Sequence, residues 1–211
     1  MDYIFGYGSI INDSSRISTV TSCHSPTRAN NATTDSEGCH SGGGCFDLAV
    51  AARVCPSFVR RVWNFRCPTG FTALGVVLNP GNENGYRLNP IPATDVMKGI
   101  DGDGRGRGGI NGVLFPVSSH QDLTAFDIRE VGYTRIAIPL NKIDVLPQYG
   151  CEAAQARAIS LQASITESCE LNASTGCTHQ HRIWIYVPDS SHAVPPSVEY
   201  PILQTYVDVC I

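Results

Sequence analysis

The sequence predicts an α+β fold, a compact mixed domain in which short strands outnumber helices. Three observations point there. Alternating apolar patterns recur in short runs along the chain. One segment carries both a helix start and a helix stop signal. The 20 glycines and 13 prolines promise many turns between the runs. With 211 residues, 42% of them hydrophobic, the chain can bury one sizeable core, and a single domain over residues 1–211 is expected.

Tyr3, Phe5 and Tyr7 alternate with Ile4, Gly6 and Gly8, a period of two and hence a first strand. Asn12-Asp13-Ser14-Ser15 breaks it. Residues 22–57 read as a flexible insertion: Ser, Thr, Asn, Gly and Cys dominate 22–47, too little apolar surface to order a segment. Strand patterns resume at 58–65 and 71–78, before the turn cluster Asn79-Pro80-Gly81-Asn82. A glycine-rich insertion is expected at 98–110, then a short strand at 112–116. Ser119 with Asp122 three residues on is a variant capping box, so residues 119–129 read as a helix, and Gly132 is placed to end it. A strand follows at 133–140. Residues 150–181 read as a third insertion with a helix around 152–161. Another strand covers 182–187, and 200–211 opens a helix or strand.

Composition excludes some tasks. A formal net charge of −4, with no basic stripe, argues against nucleic acid as the partner. No run reaches the ~18 apolar residues that span a bilayer, so no membrane partner is expected. The N-terminal residues show no basic and apolar leader pattern. The nine cysteines then read as reduced thiols, and a cytoplasmic location is expected.

Glu130 is the sharpest candidate for chemistry. It extends the apolar face of Leu123 and Phe126 at i, i+3 and i+7, and it sits in the last turn of its helix. The negative end of the helix dipole and burial both disfavour a carboxylate there, which makes a better base near neutral pH. The alternative is a surface glutamate paired with Arg129 or Arg135. Phe5-Gly6-Tyr7-Gly8-Ser9 is the second candidate. Its glycines let a ligand approach the backbone, and the amides of Gly8, Ser9 and Ile10 could hold a carboxylate. A glycine-softened edge strand would look the same.

The block Tyr3 to Ile11 (Tyr-Ile-Phe-Gly-Tyr-Gly-Ser-Ile-Ile) resembles the opening signature of the γ-glutamylcyclotransferase superfamily, which includes the ChaC-type enzymes. Similar blocks follow in family order: Arg61-Val62-Trp63-Asn64-Phe65, Gly112-Val113-Leu114-Phe115, Asp127 to Tyr133, and Pro195 to Tyr200. The insertions lie outside them, and the likeness implies further family sequence beyond Ile211. It implies a small barrel-like β-sheet with flanking helices. It also implies a cofactor-independent lyase or acyltransferase that releases 5-oxoproline from a γ-glutamyl substrate such as glutathione. By position in the motif Glu130 would be catalytic, and Tyr7, Gly8, Ser9 and Ile10 would bind the γ-glutamyl group. Tyr186 resembles a late family tyrosine that contacts substrate, although a core aromatic fits it equally. Two other readings stay open: a non-catalytic γ-glutamyl-binding module, and a γ-glutamylamine cyclotransferase acting on isopeptides.

Other motifs carry less. Cys23-His24, Cys39-His40 and Cys45 fit none of the common zinc spacings, so no metal is expected. The segment Gly102 to Gly109 does not join a strand to a helix as a phosphate loop must. His179-Gln180-His181 reads as a solvated loop, and no Gly-x-Ser-x-Gly elbow is present.

Overall fold

The first strand, β1 (Asp2–Gly6), is apolar toward both sides, and both sides are buried: Ile4 and Phe5 are each fully enclosed. That makes it a central strand, with the rest of the domain layered on its two faces. The structure, a computed structural model, describes residues 1–11, 13–24, 49–79, 109–148, 152–175 and 181–204.

After β1 come a 3-10 turn at Gly8–Ile11 and helix α1 (Asp13–His24). Strands β2 (Val50–Val54), β3 (Val59–Cys67), β4 (Phe71–Leu78) and β5 (Ile110–Val117) follow. Then come α2 (His120–Arg129), β6 (Tyr133–Ile138), a 3-10 turn at Leu140–Lys142, and β7 (Ile143–Val145). Helix α3 (Glu152–Thr175) and β8 (Arg182–Pro188) complete the order.

Six strands form one sheet in the order β6-β8-β1-β5-β2-β7, and β3 and β4 form a separate antiparallel hairpin. Only the β1–β8 pairing is parallel. Two apolar clusters lie on the two faces. On one, Ile4, Phe115 and Tyr186 pack against Val20 of α1 and Leu123 and Phe126 of α2. On the other, Phe5, Leu114 and Ile185 pack with Ala158 and Ile165 of α3 and Val59 and Val76 of the hairpin.

The fold is therefore mixed α+β with a mostly antiparallel sheet, but the sheet is not closed into a barrel. The barrel-like closure expected from the resemblance is corrected here, because β6 and β7 at the two edges do not pair with each other. Four further differences concern elements. The first strand ends at Gly6, before the break expected at Asn12 to Ser15, and α1 starts at Asp13. Within the stretch 22–57, residues 50–54 form a buried strand, since Val50, Ala52 and Val54 alternate inward. The helix expected around 152–161 runs on to Thr175, with Ala158 and Ile165 buried against the sheet. The short strand β7 had no expectation at all. Residues 25–48, 80–108, 176–180 and 205–211, which include most of the first two expected insertions and most of the last apolar run, lie outside the described residues.

The helix read from Ser119 is present, and Ser119 is its N-cap: its hydroxyl accepts from the Asp122 amide at 3.1 Å. Gly132, with φ +88°, turns the chain back into β6. No helix among the described residues is long and apolar enough to cross a membrane.

Phe126 holds α2 to the sheet. It is fully buried, with its ring 5.5 Å from that of Phe115 on β5. Truncating a buried phenylalanine removes apolar contact and leaves a cavity. Phe126→Ala is expected to lower stability by about 3–5 kcal/mol in a denaturant titration, the range for such a change.

Candidate active site

The chain turns sharply where β1 ends. At Gly6 a side chain would meet Ile10 Cγ2 at 2.9 Å, so only a hydrogen fits inside this bend. Gly8 has φ +61°, the left-handed region that glycine tolerates best. The 3-10 turn Gly8–Ile11 starts there. Its carbonyl end is capped from α1: the buried guanidinium of Arg16 donates to Ile10 O at 2.9 Å and also to Ile11 O. The first amides of such a turn have no partner within it. Gly8, Ser9 and Ile10 line a cleft.

Glu130 closes α2 at the same cleft. It is the C-cap residue, its amide donating to Phe126 O at 2.9 Å. Its side chain is 14% exposed, and Oε1 lies 3.1 Å from Arg129 Nε. Burial pushes the carboxyl group above the ordinary glutamate range, and the Arg129 cation opposes that rise. The two readings of Glu130 thus coexist: it is ion-paired with Arg129, and it faces the cleft. Arg135 is not its partner, since Arg135 pairs with Asp127 at 3.2 Å.

Arg129 uses its whole guanidinium. Nη1 donates to Ser15 O at 2.9 Å and Thr19 Oγ1 at 2.8 Å. Nη2 donates to Ser15 Oγ at 2.7 Å and Ser9 Oγ at 3.1 Å. The fork therefore joins the acid at position 130 to the turn at Ser9 and to α1.

Tyr186 lies on β8, 2% exposed, and its hydroxyl donates to Asp127 Oδ1 at 2.9 Å. Its pKa is raised strongly, first by burial and then by the Asp127 carboxylate, so the phenol stays protonated at neutral pH. The Tyr7 hydroxyl donates to the Tyr186 carbonyl.

The cleft has a volume of ≈ 760 Å³ and lies between the 8–11 turn, the end of α2 and the hairpin. All six residues singled out from sequence line it: Tyr7, Gly8, Ser9, Ile10, Glu130 and Tyr186. Sequence reasoning did not assign a role to Arg61 of β3, to Gly75 of β4, or to Asn111 of β5, which complete the wall. Arg61 belongs to a block with family likeness, but nothing in strand periodicity says which neighbouring sheet its face will meet.

The discounted motifs fall elsewhere. His181 bonds Ser164 of α3 at 2.6 Å and packs edge-on to Tyr3, with centroids 5.5 Å apart. It is thus a half-buried residue with partners rather than a fully solvated one. The side chains of Cys23, His24, Cys39, His40 and Cys45, His179, and the run Gly102 to Gly108 lie outside the described residues. The chain matches no family model, no curated protein and no solved structure.

The raised pKa of Glu130 has a sign that can be checked. The folded chain holds this proton more tightly than the unfolded chain. Stability must therefore fall as pH rises from the ordinary glutamate value through the folded value. Glu130→Gln is expected to flatten that fall relative to wild type in denaturant titrations across roughly pH 4 to 8. Arg129→Met is expected to move the Glu130 midpoint higher still, read from carboxyl-carbon NMR titration.

Proposed function

We propose that this protein is a γ-glutamylcyclotransferase. One observation carries the reading: a desolvated acid and a glycine-flanked turn line the same cleft, joined through Arg129. The sequence likeness at Tyr3 to Ile11 and at Asp127 to Tyr133 supports the same two groups independently of each other.

The reaction needs little from the protein. The substrate's α-amine attacks its own γ-carbonyl, the new C–N bond closes a five-membered lactam, and the original amide C–N bond breaks. Nucleophile and electrophile belong to one molecule, so holding the chain folded back supplies much of the rate. Glu130 takes a proton from the attacking amine and returns one to the departing amine. Its raised pKa brings it nearer the working range for both transfers. The amides of Gly8, Ser9 and Ile10 hold the glutamyl carboxylate and polarise the reacting carbonyl. Tyr7 and Tyr186 border the glutamyl group, and the protonated Tyr186 phenol is committed to Asp127.

A second reading has one observation in its favour. The Arg129 contact makes Glu130 a weaker base than burial alone would, which suits a γ-glutamyl-binding module without turnover.

Incubation with glutathione, γ-glutamyl-alanine and the γ-glutamyl-lysine isopeptide, followed by a 5-oxoproline assay, separates these readings. Product from the first two supports the cyclotransferase, and product from the isopeptide alone supports a γ-glutamylamine cyclotransferase. Binding without product from any substrate supports the binding module. Glu130→Gln is expected to lower turnover by about 10²–10⁴-fold, the range for a lost general acid–base, while the fold persists. A variant of unchanged activity would remove Glu130 from the mechanism.

A further inference from the structure

We infer that Arg61 selects γ-glutamyl compounds whose departing portion ends in a carboxylate. This rests on the cyclotransferase reading of the cleft and names its substrate class.

Among the described residues that line the cleft, only Arg61 and Glu130 carry a formal charge. They are not equivalent. Glu130 is balanced by Arg129 at 3.1 Å. Arg61 has no carboxylate in ion-pair range among the described residues. Its hydrogen bond is from Nη2 to Asn111 O at 3.2 Å, across from the hairpin to β5. A guanidinium has five N–H donors in a planar fork, so most of the fork is left for a ligand. The Asn111 bond holds the group at the cleft wall without neutralising it.

Position gives the class of ligand. The turn amides and Glu130 stand on the helix side of the cleft, and Arg61, Leu74 and Gly75 form the hairpin side. A γ-glutamyl head held by the turn and Glu130 directs its departing portion toward the hairpin. A cleft of ≈ 760 Å³ has room for more than a glutamyl head. An uncompensated guanidinium there is matched by a carboxylate, which it binds through paired N–H groups. Amino acids and short peptides carry that carboxylate when they leave; simple amines do not.

The test compares γ-glutamyl-alanine with γ-glutamyl-alaninamide, which differ only in the terminal charge. Arg61 is exposed, so the wild type is expected to favour the acid by about two- to fivefold in kcat/KM, the scale of one exposed ion pair. Arg61→Gln is expected to lower kcat/KM for the acid to that for the amide and to leave the amide unchanged. Arg61→Lys is expected to keep most of the preference, and added salt to erode it. Equal losses for both compounds would overturn the inference, because Arg61 would then hold the glutamyl head itself. An unchanged preference in Arg61→Gln would overturn it too. If the wild type releases 5-oxoproline from neither compound, the cyclotransferase reading fails, and calorimetric titration of both compounds into wild type and Arg61→Gln decides the present point. Tighter binding of the acid that Arg61→Gln abolishes upholds carboxylate selection; equal binding, or none, overturns it.

Discussion

The guanidinium of Arg129 joins the end of α2 to the turn after β1 and to α1, which lie far away in sequence. It bonds Glu130 beside it, Ser9 in the turn after β1, and Ser15 and Thr19 on α1. Each contact alone is small, because a hydrogen bond in the folded chain replaces one to water. Their value lies in geometry. A planar fork that satisfies five acceptors at once has few alternative positions. The buried acid and the turn are thereby held in one arrangement before any ligand arrives, and preorganisation of this kind is what a polar site needs.

A second network runs along the neighbouring strands. Tyr7 bonds the Tyr186 carbonyl, Tyr186 bonds Asp127, and Asp127 pairs with Arg135. Arg135 in turn lies over the Trp184 ring at 4.9 Å, and Trp184 Nε1 donates to Asp2 at 2.8 Å. The hydroxyls of Tyr7 and Tyr186, the Asp127 carboxylate and the Trp184 indole are each hydrogen-bonded, while Arg135 Nη1 meets Asp127 as an ion pair without a hydrogen bond. The network ties both ends of β1 to β8 and α2. The two aromatic walls of the cleft are thus fixed by different contacts from those that fix the acid.

Much of this was legible from residues alone, and the reasons differ by element. α2 could be read because its cap is local chemistry: Ser119, Asp122 and Gly132 act within a few residues of themselves. Glu130 could be placed because helical spacing puts it on the face of Leu123 and Phe126, and both of those are buried. β2 was hidden by its neighbours' composition, although Val50, Ala52 and Val54 carry the period-two signal. α3 was read too short because its long polar stretch lacks a strong apolar stripe; its burial rests on a few small and branched residues such as Ala158 and Ile165. Arg61 escaped notice for a deeper reason. The role proposed for it depends on the hairpin lying across β5, a tertiary contact that no local rule encodes.

The parallel pairing of β1 with β8 has a kinetic side. Asp2 sits opposite Arg182, and Tyr7 bonds Tyr186, so strands near opposite ends of this sequence share the centre of one sheet. Contacts of such separation are slow to form, since the long loop must close before they contribute. On the ribosome, β1 must wait beside an unfilled edge while nearly all the intervening chain is made. Until then its apolar residues depend on β5 and on whatever helper proteins shield nascent chains. The wall of the cleft at Tyr7 is consequently made long before the wall at Tyr186 that it must meet.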